Sequence, residues 1–188
     1  FLSDRDREGA DRLLLARSVG GDFVVIHPGS GGSADRWPRE QFIRLADLLQ
    51  KHGVQVVLSG SVTEAPAIGN VCRQMKVSLP TIAGDTDLRT LAAVLAKARL
   101  VISNSTGPLH LAAAVGTPVV GLYPSKRVMS PVRWGPVGEG HLVLQPSSVI
   151  CRCPEKRCEC MKTISVETVF TIVRSSLAGN RPSQSIPV

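Results

Sequence analysis

Four short apolar runs recur along the chain, and each is followed by a longer stretch whose apolar residues return every three to four positions. The runs are Phe23-Val24-Val25-Ile26-His27, Val54-Gln55-Val56-Val57-Leu58, Leu100-Val101-Ile102-Ser103 and Pro118-Val119-Val120-Gly121-Leu122. Continuous β-branched runs bounded by Gly, Asn, Ser or Pro read as strands buried on both faces, which calls for parallel strands with helices on either side. The alternation therefore predicts an α/β fold, a Rossmann-like three-layer α/β/α domain with a mostly parallel sheet of about six strands. Pro80-Thr81-Ile82-Ala83 and Leu142-Val143-Leu144 are the two shorter strand candidates.

The intervening stretches predict helices. Residues 39–51 place Phe42, Leu45, Ala46, Leu48 and Leu49 on one face, and Gly53 suits a left-handed cap after them. Further helices are expected over 65–75, over 87–98 on Leu88, Leu91, Val94 and Leu95, and over 108–115, where Gly116-Thr117-Pro118 ends the helix and opens the next strand. A last helix over 166–177 starts behind Ser165 as N-cap. Before the first strand, residues 4–19 form an amphipathic helix on Leu13, Leu14 and Leu15. This divides the chain into an N-terminal linker helix (1–20), one Rossmann-like domain (21–178) containing a Cys-rich loop (146–163), and a tail (179–188) whose Gly, Asn, Pro and Ser content predicts flexibility. The first residue is Phe1 rather than Met, so a longer parent protein is expected.

At 188 residues, 43% of them hydrophobic and 20% charged, the chain is long enough to bury a sizeable core. No stretch reaches the ~18 consecutive apolar residues of a transmembrane helix, and no apolar signal-peptide core follows a basic start. With 22 Lys+Arg against 15 Asp+Glu, the net charge of +7 favours anionic partners. Nucleic acid is not expected among them. Four Phe, two Trp and one Tyr offer little to stack on bases, and no RNP-like or zinc-finger-like pattern occurs. Basic residues gather in two loops, Lys126, Arg127 and Arg133 in one, Arg152, Lys156, Arg157 and Lys162 in the other. Such loops fit work near an anionic membrane face.

Cys151, Cys153, Cys158 and Cys160 fall within ten residues as C-x-C-x4-C-x-C. Four thiols this close can ligate a structural zinc, form two local disulfides, or remain reduced, and the spacing matches no common zinc-ribbon pattern of paired C-x-x-C knuckles.

In an open parallel sheet, ligands bind outside the carboxyl ends of the strands, and the unusual loops of this chain all lie there. The first is His27-Pro28-Gly29-Ser30-Gly31-Gly32-Ser33, followed by Arg36-Trp37-Pro38. Its glycines allow main-chain N–H groups to approach phosphate oxygens. Neither G-x4-G-K-[ST] nor G-x-G-x-x-G is present, which counts against NTP hydrolysis and NAD binding. The second is Asn104-Ser105-Thr106-Gly107-Pro108-Leu109-His110. Ser105 or Thr106 is expected to cap the helix, Gly107 to admit a ligand, and Pro108 to set the first turn, so that free N–H groups point at a diphosphate while His110 serves as a neutral hydrogen-bond donor. In a third loop, Ser59-Gly60-Ser61-Val62-Thr63-Glu64, Thr63 is the expected cap and Glu64 a carboxylate able to accept from sugar hydroxyls.

The ordered series HPGSGG and RWP, LSGSVTE, AGDTDLRTLAAVLAKA, SNSTGPLHLAAAVGTPVVGLYPS and CPEKRCECMKTIS resembles the C-terminal half of the ADP-heptose:lipopolysaccharide heptosyltransferase family, glycosyltransferase family 9. The resemblance covers most of residues 23–177. It implies a GT-B fold, two Rossmann-like domains facing a cleft, of which this chain is the donor-binding half. It implies donor contacts at Ser30, Gly31, Gly32, Arg36, Glu64, Gly84, Ser105, Thr106, Gly107, Pro108 and His110. It also implies sugar transfer from an ADP-sugar to a lipopolysaccharide-type, lipid-linked acceptor. The resemblance further implies that no metal or other cofactor is required and that the general base lies in the other domain, and the expected setting is the cytoplasm, at the inner face of the cytoplasmic membrane. Two positions depart from the family pattern. Asp35 stands where many members have lysine, and Ser105 where aspartate is frequent. The competing expectation is a non-catalytic nucleotide-sugar-binding or interaction module.

Overall fold

The computed structural model describes residues 2–31, 35–146, 159–179 and the backbone of 186–187. Its strands are β1 (Phe23–His27), β2 (Gln55–Leu58), β3 (Leu100–Asn104), β4 (Val119–Leu122), β5 (Leu142–Gln145) and β6 (Ile186–Pro187). All pair in parallel, in the order β2-β1-β3-β4-β5-β6. The chain moves outward from β1 to β2, then returns to lay β3 on the other side of β1. The order therefore reverses between β1 and β3, and the loops leaving these two strands diverge to leave a crevice.

Strand alternation supplies two cores. Val24, Ile26, Val56, Leu58, Leu100, Ile102, Val120, Leu122, Leu142 and Leu144 face one side, where α2 (Arg39–Lys51), α3 (Ala65–Met75) and α7 (Val166–Leu177) cover them. Phe23, Val25, Val57, Val101, Val119 and Val143 face the other, beneath α1 (Asp4–Ala16), α4 (Leu88–Lys97) and α5 (Gly107–Ala114). This is the expected three-layer α/β/α arrangement, because side chains of successive strand residues point to opposite faces. A short helix, α6 (Pro131–Trp134), lies between β4 and β5.

The residues expected as a linker helix bury Ala10 and Leu14 in the second core. Ion pairs Arg89–Asp6 and Lys97–Asp11 join α1 to α4. Pro80-Thr81-Ile82-Ala83 forms no strand. Only Thr81 bridges, to Leu58, while Ile82 N–H donates to Leu58 carbonyl at 2.8 Å. The sixth strand is instead Ile186–Pro187, against Leu144 and Gln145. The rest of the expected tail from 180 onward lies outside the described residues, as do Gly32 and three of the four clustered cysteines, Cys151, Cys153 and Cys158. Cys160 is buried in the first core. Among the described residues no group of three His, Cys, Asp or Glu side chains is placed to hold a metal, and no helix is long and apolar enough to cross a membrane.

Candidate functional site

The carboxyl ends of β1, β2 and β3 carry the loops singled out in the sequence, and hydrogen bonds tie them together. Asn104, fully buried at the end of β3, accepts from Trp37 N–H at 2.9 Å through Oδ1 and donates from Nδ2 to Gly29 carbonyl at 3.2 Å. One amide thus holds both ends of the loop between β1 and α2. Trp37 is anchored further by its indole N–H, 2.8 Å from Ile164 carbonyl, and by an edge-on contact with Phe42.

Glu64 joins the β1 and β2 loops. Its Oε1 accepts from Ser30 N–H at 2.9 Å and Gly31 N–H at 3.1 Å, and its Oε2 from Ser61 N–H at 3.0 Å and Ser61 hydroxyl at 2.9 Å. A Cβ on Gly29 would stand 2.2 Å from Oε1, so glycine is what lets the carboxylate in. Burial acts to raise the Glu64 pKa, but the Ser61 and Gly31 N–H groups, the Ser61 hydroxyl and the nearby His27 outweigh it and hold the carboxyl at about 2. His27, also buried, shares Nδ1 with Ser59 Oγ at 3.0 Å and sets Nε2 3.9 Å from Glu64 Oε2. Burial lowers its pKa from the ordinary 6.5, with Glu64 pulling the other way. The ring is therefore neutral at pH 7, and its charge supports Glu64 only in acid.

The cap expectations need correction. Thr63 does not cap α3: Glu64 occupies that position, and the Thr63 hydroxyl pairs with Ser61 Oγ at 3.0 Å. Neither Ser105 nor Thr106 gives α5 a side-chain cap. Thr106 is the N-cap residue, but its hydroxyl turns toward Asn104 carbonyl and Ser103 Oγ, and Ser105 gives no side-chain hydrogen bond to the helix. Leu109 and His110 N–H donate to Thr106 carbonyl at 3.0 and 3.4 Å and Pro108 has no N–H, so Gly107 N–H is the first-turn donor left without a side-chain acceptor. Gly107 opens this helix with nothing within 4 Å of where its Cβ would be, and Pro108 and His110 follow in the first turn. Gly84 holds a φ of +86°, beside Val62 and Ala65, with its N–H on Gly60 carbonyl at 3.0 Å.

Asp35, expected from the resemblance to stand where lysine is common, pairs with Lys126 at 2.5 Å and ties the β1 loop to the segment after β4. Neighbouring Arg36 is exposed and has no carboxylate partner among the described residues. Sequence reasoning gave no role to His27, Ser59, Trp37 or Asn104. For His27, Ser59 and Asn104 the signal was available, polar residues closing otherwise apolar strands; Trp37 looked like one word of a motif.

Residues 3–163 match the family described as glycosyltransferase family 9 (heptosyltransferase). Lipopolysaccharide core heptosyltransferase OpsX of Haemophilus influenzae is 30% identical over 128 residues, which is 65% of this chain and 35% of the relative. The crystal structure of a family 9 glycosyl transferase from Veillonella parvula is similar with a TM-score of 0.82 at 25% identity, over 95% of this chain and 53% of that one. E. coli heptosyltransferase WaaC with ADP shares the fold at a TM-score of 0.63 and 23% identity, over 83% of this chain and 44% of WaaC. The chain thus spans about a third of the curated relative and about half of the solved structures it resembles. With the family match covering most of its length and the parallel sheet reproduced, the chain belongs to glycosyltransferase family 9, the heptosyltransferase family.

Proposed function

We propose that this chain is the donor-binding half of a glycosyltransferase that moves a sugar, heptose or a close relative, from an ADP-sugar to a lipid-linked acceptor of the lipopolysaccharide type. The observation that carries this reading is the start of α5. An uncapped helix N-terminus beginning with an open glycine leaves the sheet where the strand order reverses. The Gly107 N–H and the positive end of the helix dipole favour an anion there, and the similar WaaC structure contains ADP.

The chemistry follows from leaving-group charge. As the sugar departs, the diphosphate gains negative charge, and donors already oriented toward it lower the barrier without a metal. In this reading α5, the first-turn His110 and the exposed Arg36 supply that stabilisation, while Ser105 and Gly84 border the sugar and nucleoside. Lys126 is spent on Asp35. The base that deprotonates the acceptor comes from the other half of the enzyme, and the acceptor is met at the inner face of the cytoplasmic membrane.

Calorimetric titration of the chain with ADP, with UDP and GDP alongside, tests the reading. Selective ADP binding that weakens at least tenfold in His110→Ala is the expected result. Equal binding of all three nucleotides, or ADP affinity untouched by His110→Ala, overturns it. A second reading, a nucleotide-sugar-binding module without transfer chemistry, is favoured by the Asp35–Lys126 pair, which removes a cation from the site.

A further inference from the structure

The amides of the β1 loop, expected from sequence to face a phosphate, are already occupied. Ser30 and Gly31 both donate to Glu64 Oε1, while the N–H and hydroxyl of Ser61 both donate to Oε2. An ionised carboxylate has about four lone-pair sites, so these four bonds saturate it. In this state Glu64 has no acceptor site left for a sugar hydroxyl.

The arrangement is an anion in a seat made of main-chain N–H groups. Convergent backbone donors of this kind bind phosphate as well as carboxylate, because both present charged oxygens at similar distances. Gly29 leaves the seat open on the side where any Cβ would close it. The anion filling it is also tethered by a flexible side chain at the head of α3. A way out exists for one of its partners, since Ser61 Oγ lies 3.0 Å from Thr63 Oγ1 and can turn to it when the carboxylate leaves. His27 Nε2, 3.9 Å from Oε2, stands just beyond bonding distance on the buried side.

We infer that the amides of Ser30, Gly31 and Ser61 form an anion pocket whose resident in the unliganded chain is the Glu64 carboxylate and whose ligand is a phosphate group, the two exchanging on binding. The inference rests on the nucleotide-binding reading for the source of that phosphate, and it adds that Glu64 competes with the ligand before assisting it. Exchange replaces one set of charge-assisted bonds by another. The apparent affinity of the pocket is reduced by the fraction of time the carboxylate occupies it, and a displaced Glu64 regains free lone pairs for ligand hydroxyls.

The probe is inorganic pyrophosphate, titrated into the 188-residue chain by calorimetry with backbone amide resonances followed in parallel. Glu64→Asp keeps the negative charge but withdraws it by one methylene from Ser30 and Gly31, so charge repulsion alone does not explain a gain. Pyrophosphate is expected to bind about tenfold more tightly to this variant, the inverse of a pocket open about a tenth of the time. Ser30 and Gly31 amide resonances of the wild-type chain are expected to move on titration. Equal or weaker pyrophosphate binding by Glu64→Asp, or binding to the wild type that leaves both resonances in place, overturns the exchange. Ser61→Ala, which loosens the Oε2 side without touching the β1 loop, guards against a misfolded aspartate variant. It is expected to tighten binding about two- to threefold, and no gain counts against the inference. ADP titrated in parallel separates the two ideas. ADP binding without movement of Ser30 and Gly31 sinks the exchange alone, whereas failure of ADP and pyrophosphate to bind any of the three proteins sinks the donor reading as well.

Discussion

Three buried polar side chains, His27, Ser59 and Asn104, stand at or just beyond the carboxyl ends of β1, β2 and β3. A buried polar group is tolerable only when its hydrogen bonds are made: His27 and Ser59 make theirs with each other, and Asn104 with Gly29 and Trp37 of the loop after β1. Deleting the Asn104 amide would strand the Trp37 N–H and Gly29 carbonyl, at a cost of about 1–3 kcal/mol. Protonation probes the same residues from another direction. His27 has its pKa lowered from 6.5 by burial and Glu64 has its lowered from 4.5 to about 2, so in both cases the unfolded chain takes up protons first. Stability is therefore complete above neutral pH and falls on acidification, first as the unfolded histidine titrates below about pH 6.5, then between about 4.5 and 2 as Glu64 is lost. Urea unfolding across this range should show Glu64→Gln flattening the lower step and deepening the upper one, because His27 loses the carboxylate that raises its pKa. An unaltered acid limb in that variant would show that Glu64 is not the clamp between the β1 and β2 loops.

At the scale of elements, α5 separates structural from ligand-binding roles. Gly107 has no positive φ to maintain and no neighbour within 4 Å of its missing Cβ, so neither conformation nor packing requires glycine there. Gly107→Leu should therefore change stability by no more than about 0.5 kcal/mol, as for other unencumbered surface positions, while its side chain fills the approach to the helix amides. An unchanged melting transition combined with at least a tenfold loss of ADP affinity is the expected outcome. Normal ADP binding by this variant would move the donor site away from α5. By contrast, Gly121 in β4 is fixed by packing, since a Cβ there would meet Tyr123 at 2.6 Å and Leu109 at 2.8 Å. The two glycines are indistinguishable by residue type, and only their surroundings assign one to the core and leave the other open.

For the whole molecule, the chain provides one side of a two-sided problem. It spans about half the length of the solved structures it resembles, and the proposed reading places the base and the acceptor site in the other half of the enzyme. The chain by itself should therefore bind ADP yet transfer no sugar from an ADP-sugar to a lipid-linked acceptor. Radiolabelled transfer above background by the purified chain would overturn that division of labour.

Much of this protein was determined locally. Helices α2, α3 and α7 occupy the residues that their periodicity and flanking signals predict, and β1 is the first apolar run itself, because amphipathic spacing, glycine stops and β-branching act over a few residues. The series of loop motifs likewise carries the family. The order of the sheet was decided by tertiary structure alone, since β3 adding to β1 rather than β2 depends on which faces the crossing helices bury. So was the state of the site. That Glu64 fills the amides of Ser30 and Gly31, that Asp35 takes Lys126, and that Asn104 ties Gly29 to Trp37 are contacts between residues from 33 to 91 positions apart. No local pattern encodes such pairings. They arise because parallel strands bring their carboxyl-end loops to one edge, where each buried donor and acceptor must find a partner.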